Sequence, residues 1–514
     1  MSEAAQKTGL TEAVVNYFRD FKVLKETRSE YWWMQIINFL DCTVFFAVLT
    51  ITVIFLSENL GCSDRLAGYV ITIFGGATTL FLLISGMVTD WLGIRKSLIV
   101  SMLAVLGLRA VIVLTTTASE SGVAQLLAPL HFQAVVDAYQ RVIDWDWWGW
   151  WDWLGDDKAT YRNTVVTLMY FLMAPFLAMV QTLFQAANKR FTTRRSRSAG
   201  FNLWYLFMNV GAFAAGLLID FVYLVLKLPR VHVFTFGVFA AGACLVLTFW
   251  LIRCEEQLYG PDETPVQPPG GPAKRRNPFG ILWSVICEPV FWRFVVLITL
   301  LIGVRAVFLY TNLLWPKYWL RVIGPNATIG LLESVNPALV VIGLIVLIPV
   351  LHRYSVYSML VYGAIISALS MFVLAIPTFG TATYVASLAA LVVLSVGEII
   401  WSPRLTEYTA AIAPEGQEGT YLGLSMVPYF LAKTVVSLAS GYMLERWIPA
   451  FPEGEPLLRD RLAAGQIPFW QTPSALWIIL GIFALGGPLI ALLMKSWFTK
   501  GAKWEKDEAA VATE

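Results

Sequence analysis

Long apolar runs constrain this 514-residue chain more than any other feature. A helix needs roughly twenty apolar residues to cross the hydrocarbon core of a bilayer, and about twelve such runs are bounded by charges, prolines and glycines. They lie at 31–56, 67–89, 97–117, 164–188, 200–226, 231–252, 291–312, 329–351, 356–377, 381–402, 419–444 and 473–496. The pattern predicts an all-α membrane protein with about 12 transmembrane helices in two six-helix bundles.

Composition supports a bilayer as the solvent for most of the chain. The sequence is 57% hydrophobic and only 14% charged, which is too little charge to cover a soluble protein of this length. Tryptophans such as Trp32, Trp315 and Trp319 lie beside apolar runs, as is typical of residues at a membrane interface. No short apolar stretch precedes a cleavage site, so we expect the first span to direct insertion.

A polar stretch rich in proline, glycine and charge divides the apolar runs into two groups of about six. Its sequence includes GPDETPVQPPGGPAKRRNP, which indicates a flexible linker. We therefore predict a cytoplasmic N-terminal segment at 1–30, a first bundle at 31–252, a cytoplasmic linker at 253–290, a second bundle at 291–496 and a cytoplasmic tail at 497–514. Lysines and arginines of the short loops share one side, which predicts a multi-pass protein of the cell (inner or plasma) membrane with both termini cytoplasmic.

The segment 118–162 is longer than a connection between two spans requires. It is predicted to lie outside the cytoplasm and contains the run DWDWWGWWDWLGDD. Its rings can lie among lipid headgroups while its carboxylates face water, which indicates an element in the plane of the membrane surface. The segment is either a surface anchor or a part of gating or partner binding.

Charge and residue counts exclude several classes of function. A net charge of +2 gives no reason to expect a nucleic-acid partner. Five cysteines and three histidines form no metal-ligand or disulfide pattern, and no nucleophile elbow or phosphate loop is present. We therefore predict no enzyme activity, no catalytic residues, no metal and no cofactor.

A tight loop follows the second span and contains Gly86, Asp90, Gly93 and Arg95. Glycines permit a close turn, and an aspartate near a helix end can pair with a basic side chain. The arrangement resembles the loop signature of the major facilitator superfamily, except that Ile94 stands where the superfamily often has a basic residue. The resemblance implies that this loop takes part in gating.

Further motifs resemble the proton-dependent oligopeptide transporter family within that superfamily. Phe201, Tyr205, Asn209 and Gly211 match its F-x-x-x-Y-x-x-x-N-x-G signature in the fifth span. The eighth span carries the pair Asn336 and Pro337, and from the tenth span onward come Gly397-Glu398, Ser402-Pro403, Ala413-Pro414 and Gly419-x-x-x-Gly423. The resemblance implies a proton-coupled transporter of short peptides, in which Asn336 and Glu398 line the binding cavity.

The sequence departs from that family where the family couples protons to substrate. Asn38 and Asp41 stand at the carboxylate positions of the E-x-x-E-R pattern, and Cys42 replaces its arginine. In the fourth span Gln185 replaces a lysine. The family's clamp on the peptide carboxylate is therefore missing, and Arg109 and Arg305 introduce cations at other places.

Ionisable residues inside membrane spans are candidates for function because each costs roughly 2.5 to 3.5 kcal/mol to insert. They are Asp41, Arg109, Arg305, Glu333, Glu398 and Lys433. Glu398 and Asp41 are the best candidates for proton exchange, since a carboxylate can bind either a proton or a cation. Glu333 and Lys433 lie close to the predicted span ends, which favours fixed structural charges.

Taken together, the sequence predicts a secondary active transporter for a short peptide or amino-acid-like solute, working by alternating access with protons as the coupling ion. The predicted binding and coupling residues are Asp41, Asn38, Gln185, Tyr205, Arg305, Asn336 and Glu398. One alternative is a proton-independent facilitator or exchanger of an anionic or amphipathic solute that uses Arg109 and Arg305. Another is a membrane receptor or scaffold that transports nothing.

Overall fold

The computed structural model describes residues 21–144, 157–193, 195–253, 256, 258, 287, 289–346, 355–412, 418–451 and 454–499. Its α-helices in chain order are α1 Ser29–Ile54, α2 Asp64–Leu92, α3 Ile94–Thr117, α4 Glu120–Leu127, α5 Gln133–Ile143, α6 Tyr161–Phe191, α7 Arg197–Asp220, α8 His232–Leu251, α9 Pro289–Leu300, α10 Ile302–Leu313, α11 Trp315–Val322, α12 Ile329–Val346, α13 Val356–Leu374, α14 Thr381–Ile412, α15 Glu418–Trp447, α16 Leu458–Ala463, α17 Pro473–Leu493 and α18 Lys495–Thr499. We call α1–α8 the N-terminal half and α9–α18 the C-terminal half.

The prediction of an all-helical membrane protein is confirmed. Within the described ranges, ten helices are long and apolar enough to cross a membrane, or eleven if the bent pair α9 and α10 forms one span. The 30-residue helix α15 covers the remaining predicted span, 419–444. Helix α14 shows the largest difference between predicted and observed length, because it continues from the predicted end at 402 to Ile412.

The outward faces of these helices are apolar, as lipid contact requires. Phe239 is 71% exposed and Trp250 65% exposed on α8, and Leu493 is 85% exposed at the end of α17. A soluble protein rarely exposes such a surface, whereas lipid tails solvate it without penalty. A helix satisfies most of its backbone hydrogen bonds internally, which suits a span in lipid.

The two halves touch through closely packed glycines. Helix α7 meets α12 at Gly216 and Gly330, where a Cβ on either residue would collide with the main chain of the other. Helix α2 meets α15 in the same way, since a Cβ on Gly441 would lie 2.6 Å from the Cα of Arg65. Small residues allow membrane helices to approach this closely. The first contact lies near the start of α12, and the second lies near the start of α2.

Polar contacts seal the same end of the molecule, which we call the Asp64 end. The carboxylate of Asp64 accepts Lys317 Nζ at 2.6 Å and Arg321 Nη2 at 2.7 Å. Asp220 of α7 accepts the backbone N–H groups of Gly330 and Leu331, both at 2.8 Å, and so caps α12 from the other half. These contacts connect the halves at this end through both charge and main chain.

The long segment between α3 and α6 begins with α4 and α5. Residues 145–156, which include most of the tryptophan-rich run, lie outside the described residues, so the prediction of an interfacial element is not tested there. Asp157 after this run accepts hydrogen bonds from the main-chain N–H of Ser63 at 2.9 Å and from its hydroxyl. Burial raises the pKa of Asp157 above its ordinary value. The segment is thus attached to the start of α2 at the Asp64 end.

Candidate functional site

A polar cluster forms where α12 and α14 meet in the C-terminal half. The amide of Asn336 donates to Glu398 Oε2 at 2.9 Å and to Ser395 Oγ at 3.0 Å. Pro337 directly after Asn336 has no N–H, so it leaves a carbonyl one turn earlier without its helical donor. The sequence therefore provides both a directional amide and a loosened backbone at this place.

Arg305 of α10 completes the charged part of this cluster. Its guanidinium lies over the ring of Trp401, 5.0 Å from the ring centre, and its positive charge acts on Glu398. Trp401 is only 2% exposed, and its indole N–H donates to Ser367 Oγ at 3.1 Å. The buried ring thus holds the arginine by a cation–π contact and fixes its position beside the carboxylate.

Tyr205 reaches this cluster from the other half of the molecule. It packs against the apolar group Val340, Leu344 and Ile399, and its hydroxyl lies within hydrogen-bond reach of Ser402. The charges of Glu398 and Arg305 both act on it. Of the seven predicted binding residues, the structure therefore brings together Tyr205, Arg305, Asn336 and Glu398.

Asp41 lies elsewhere, inside the N-terminal half and opposite Arg109. Both are buried, with 8% of Asp41 and 2% of Arg109 exposed, and their charges act on each other. Arg109 Nη1 donates to the carbonyl oxygen of Gly237 at 3.3 Å. Gly237 leaves room for the arginine, since a Cβ there would lie 3.1 Å from Arg109 Cδ. This pair is enclosed by helices of one half.

The other two predicted binding residues are also separate from the Glu398 cluster. Asn38 is buried, donates to the carbonyl oxygen of Trp204 at 3.4 Å and accepts from Cys42 Sγ at 3.4 Å. It therefore connects α1 to α7 within the N-terminal half. Gln185 lies on an exposed face of α6, one turn after the exposed Gln181.

The predicted gating loop forms a turn between α2 and α3. Gly93 has a φ of 82°, a backbone conformation that favours glycine, which accounts for a glycine at this position. Arg95 Nη2 donates to the carbonyl oxygen of Phe249 at 2.9 Å, so it contacts α8 of its own half. The side-chain surroundings of Gly86 and Asp90 lie outside the described residues.

Of the two ionisable residues that the sequence interpretation places close to span ends, one differs in position and the other does not. Lys433, which is predicted close to a span end, lies in the middle of α15 against Gly75 of α2. Glu333 lies one turn before Asn336 on α12, and its Oε1 is buried with no hydrogen-bond donor among the described residues. Counting residues from both ends of the apolar run at 419–444 would have located Lys433 correctly, because the run extends more than ten residues on each side.

Comparisons with known proteins agree with this architecture. The family model described as Major Facilitator Superfamily matches residues 31–437. The chain belongs to the major facilitator superfamily. It is therefore a transporter of small molecules and not an enzyme. A search of curated proteins found no match.

Solved structures of the same fold include peptide and nucleoside transporters. A mutant of a peptide transporter POT in complex with sulfate shares 13% identity, with a TM-score of 0.62 over 93% of this chain and 98% of that chain. The nucleoside transporter NupG shares 10% identity, with a TM-score of 0.62 over 90% of this chain and 99% of that chain. A POT family transporter in complex with 5-aminolevulinic acid shares 11% identity, with a TM-score of 0.60 over 92% and 97%. At these identities the likeness establishes the fold alone.

Proposed function

We propose that this transporter moves short peptides or amino-acid-like solutes by alternating access, driven by a proton gradient, and that Glu398 is the coupling group. The observation that carries the proposal is the hydrogen bond from Asn336 to Glu398 at a place that Tyr205 reaches from the other half. Alternating-access transporters bind substrate where their two halves meet near the membrane midplane. The resemblance to the oligopeptide transporter family favours the same class of solute.

Competition between a proton and the solute for Glu398 couples the movement of one to the movement of the other. Arg305 and the Asn336 amide both face the Glu398 carboxylate, which in its ionised form can bind a solute ammonium group. A proton on the same carboxylate removes that attraction, so proton and solute bind with opposite preferences. Glu398 is only partly buried, so it remains open to exchange.

The sealed Asp64 end supplies one of the two gates. In this proposal the Asp64 end faces outside the cytoplasm, and both chain termini face the cytoplasm of a cell bounded by the plasma membrane. Opening requires Asp64 to leave Lys317 and Arg321 and Asp220 to leave the start of α12. The glycine contacts at Gly216 and Gly330 permit closure, because no side chain blocks the approach.

The test is uptake of a mixed library of di- and tripeptides into proteoliposomes, with and without an outward proton gradient, because a solute and a proton that occupy Glu398 in turn move in opposite directions. Accumulation by the natural sequence that Glu398→Gln abolishes supports both the solute class and the coupling group. Glu455→Gln is the matched control, because Glu455 is an exposed glutamate paired with Arg461 at 2.5 Å. Absence of uptake in either condition would overturn the proposed solute class.

A second candidate is a facilitator or exchanger of an anionic or amphipathic solute that does not use protons. The position of Arg305 over Trp401 favours it, since a solute anion can bind the guanidinium while the solute's apolar part contacts the ring. Arg109 fits this role less well because it is enclosed with Asp41. Uptake that persists with an uncoupler but is lost in Arg305→Ala would favour this candidate. A receptor or scaffold would bind a ligand without any flux.

A further inference from the structure

Lys433 is a cation at membrane depth that neither the fold nor the proposed coupling explains. It lies 15 residues after Glu418, the start of α15, and 14 before Trp447, its end, which places it about 20 Å from either end of the helix. A lysine side chain reaches only about 6 Å, so this ammonium group cannot extend to a lipid headgroup. It therefore needs a polar partner within the protein interior.

The lysine is held in the interface between the halves. Its Cε lies 2.9 Å and its Nζ 3.5 Å from the position that a Cβ on Gly75 would occupy. The side chain of Lys433 thus fills the space that the missing side chain of Gly75 leaves on α2. The residue is only partly buried, so solvent or solute can reach it.

Three other cations of the described residues each have a carboxylate. Arg109 has Asp41, Arg305 has Glu398 and Lys317 has Asp64. Lys433 has no counter-ion among the described residues. An unpaired charge at membrane depth is costly and marks a functional site, so an anionic group of a solute is a suitable partner for Lys433.

We infer that Lys433 binds a carboxylate of the transported solute while Glu398 binds its cationic end. This inference rests on the proposed function and names the solute as a zwitterion with a free carboxylate. Helix α15 packs against both α10, which carries Arg305, and α14, which carries Glu398. The two charges of opposite sign thus lie on neighbouring helices, each near the middle of its span.

The test compares a transported dipeptide with its C-terminal amide, which lacks the carboxylate charge. We expect the natural sequence to take up the free acid with a KM about tenfold lower than the amide, and Lys433→Met to raise the KM of the acid while leaving that of the amide unchanged. Lys433→Arg keeps the charge and is expected to retain most of the preference. Lys495→Met removes an exposed lysine that donates to Ser358 Oγ and is the control for loss of one positive charge.

A second pair of variants tests the role of the lysine side chain's position. Gly75→Ala introduces a methyl group against Lys433 Cε, and we expect it to raise the KM of the acid but not that of the amide. Gly107→Ala is the matched control, since Gly107 is also a helical glycine and a Cβ there meets nothing within 4 Å.

The outcomes separate this inference from the proposed function. If the natural sequence takes up acid and amide equally, or if Lys433→Met keeps the preference for the acid, the inference is overturned and peptide transport remains. If the natural sequence takes up no peptide at all, the proposed function is overturned and the carboxylate site falls with it.

Discussion

Within the described residues, each half of the molecule contains an arginine and a carboxylate that face each other at membrane depth, and the two pairs differ in their surroundings. Asp41 and Arg109 are both nearly inaccessible and are enclosed by helices of the N-terminal half. Glu398 and Arg305 are partly accessible and are reached by Tyr205 from the opposite half. The same two residue types therefore support two roles. A pair within one half stabilises that half, whereas a pair at the interface between halves can change partners during transport.

The largest expected effect is loss of stability in Arg109→Ala. The change leaves Asp41 buried without its cation, which costs about 3 to 5 kcal/mol in comparable buried pairs. We expect a strongly lowered thermal unfolding temperature in detergent. The double variant Asp41→Asn with Arg109→Met removes both charges and is expected to recover much of the stability. If Arg109→Ala unfolds at the natural temperature but loses transport, the N-terminal pair is a site and the comparison fails.

Arg305→Gln is expected to show the opposite pattern. Glu398 then loses the neighbouring cation but keeps the Asn336 amide and access to solvent, so the fold is less affected than by Arg109→Ala. A loss of about 2 kcal/mol in solute binding corresponds to roughly a 30-fold rise in KM. Uptake assays and unfolding temperatures measured on the same preparation separate these effects. A large fall in unfolding temperature with an unchanged KM would mean that Arg305, like Arg109, stabilises the fold and does not bind the solute.

The Asp64 contacts extend the comparison to an ion cluster that joins the halves. Asp64→Asn weakens two charge-assisted hydrogen bonds, each worth about 1.5 to 3 kcal/mol, so we expect this end to open more often. The measurement is the labelling rate of Thr72→Cys by an impermeant maleimide, in a background without the native cysteines. We expect a rise of about tenfold, with Glu455→Gln as control. An unchanged labelling rate would mean that the glycine contacts close this end without the ion pairs.

The sequence predicted which segments cross the membrane better than it predicted which residues contact each other. Hydropathy located the ten long apolar helices of the described ranges, the bent pair α9 and α10, and α15, because apolar length is a property of each run alone. Contacts such as Lys317 with Asp64 join residues 253 positions apart, and their formation depends on how each helix is rotated. Asp41 shows the same limit. Its residue type indicated a functional charge, but only the packing of α1 and α3 against α8 revealed Arg109 as its neighbour.

The smallest expected effect is that of removing the Asn336 amide. It distinguishes the contribution of this amide from that of the charges in the Glu398 cluster. Asn336→Ala removes one hydrogen bond to Glu398 Oε2 and one to Ser395 Oγ, while Arg305 remains. A single hydrogen bond contributes about 0.5 to 1.5 kcal/mol, so we expect a rise in KM of about tenfold or less, smaller than for Arg305→Gln. Ser395→Ala is the control, since it removes only the second acceptor. If Asn336→Ala abolishes transport as completely as Glu398→Gln, the amide contacts the solute directly, and the site depends on directional hydrogen bonds as much as on charge.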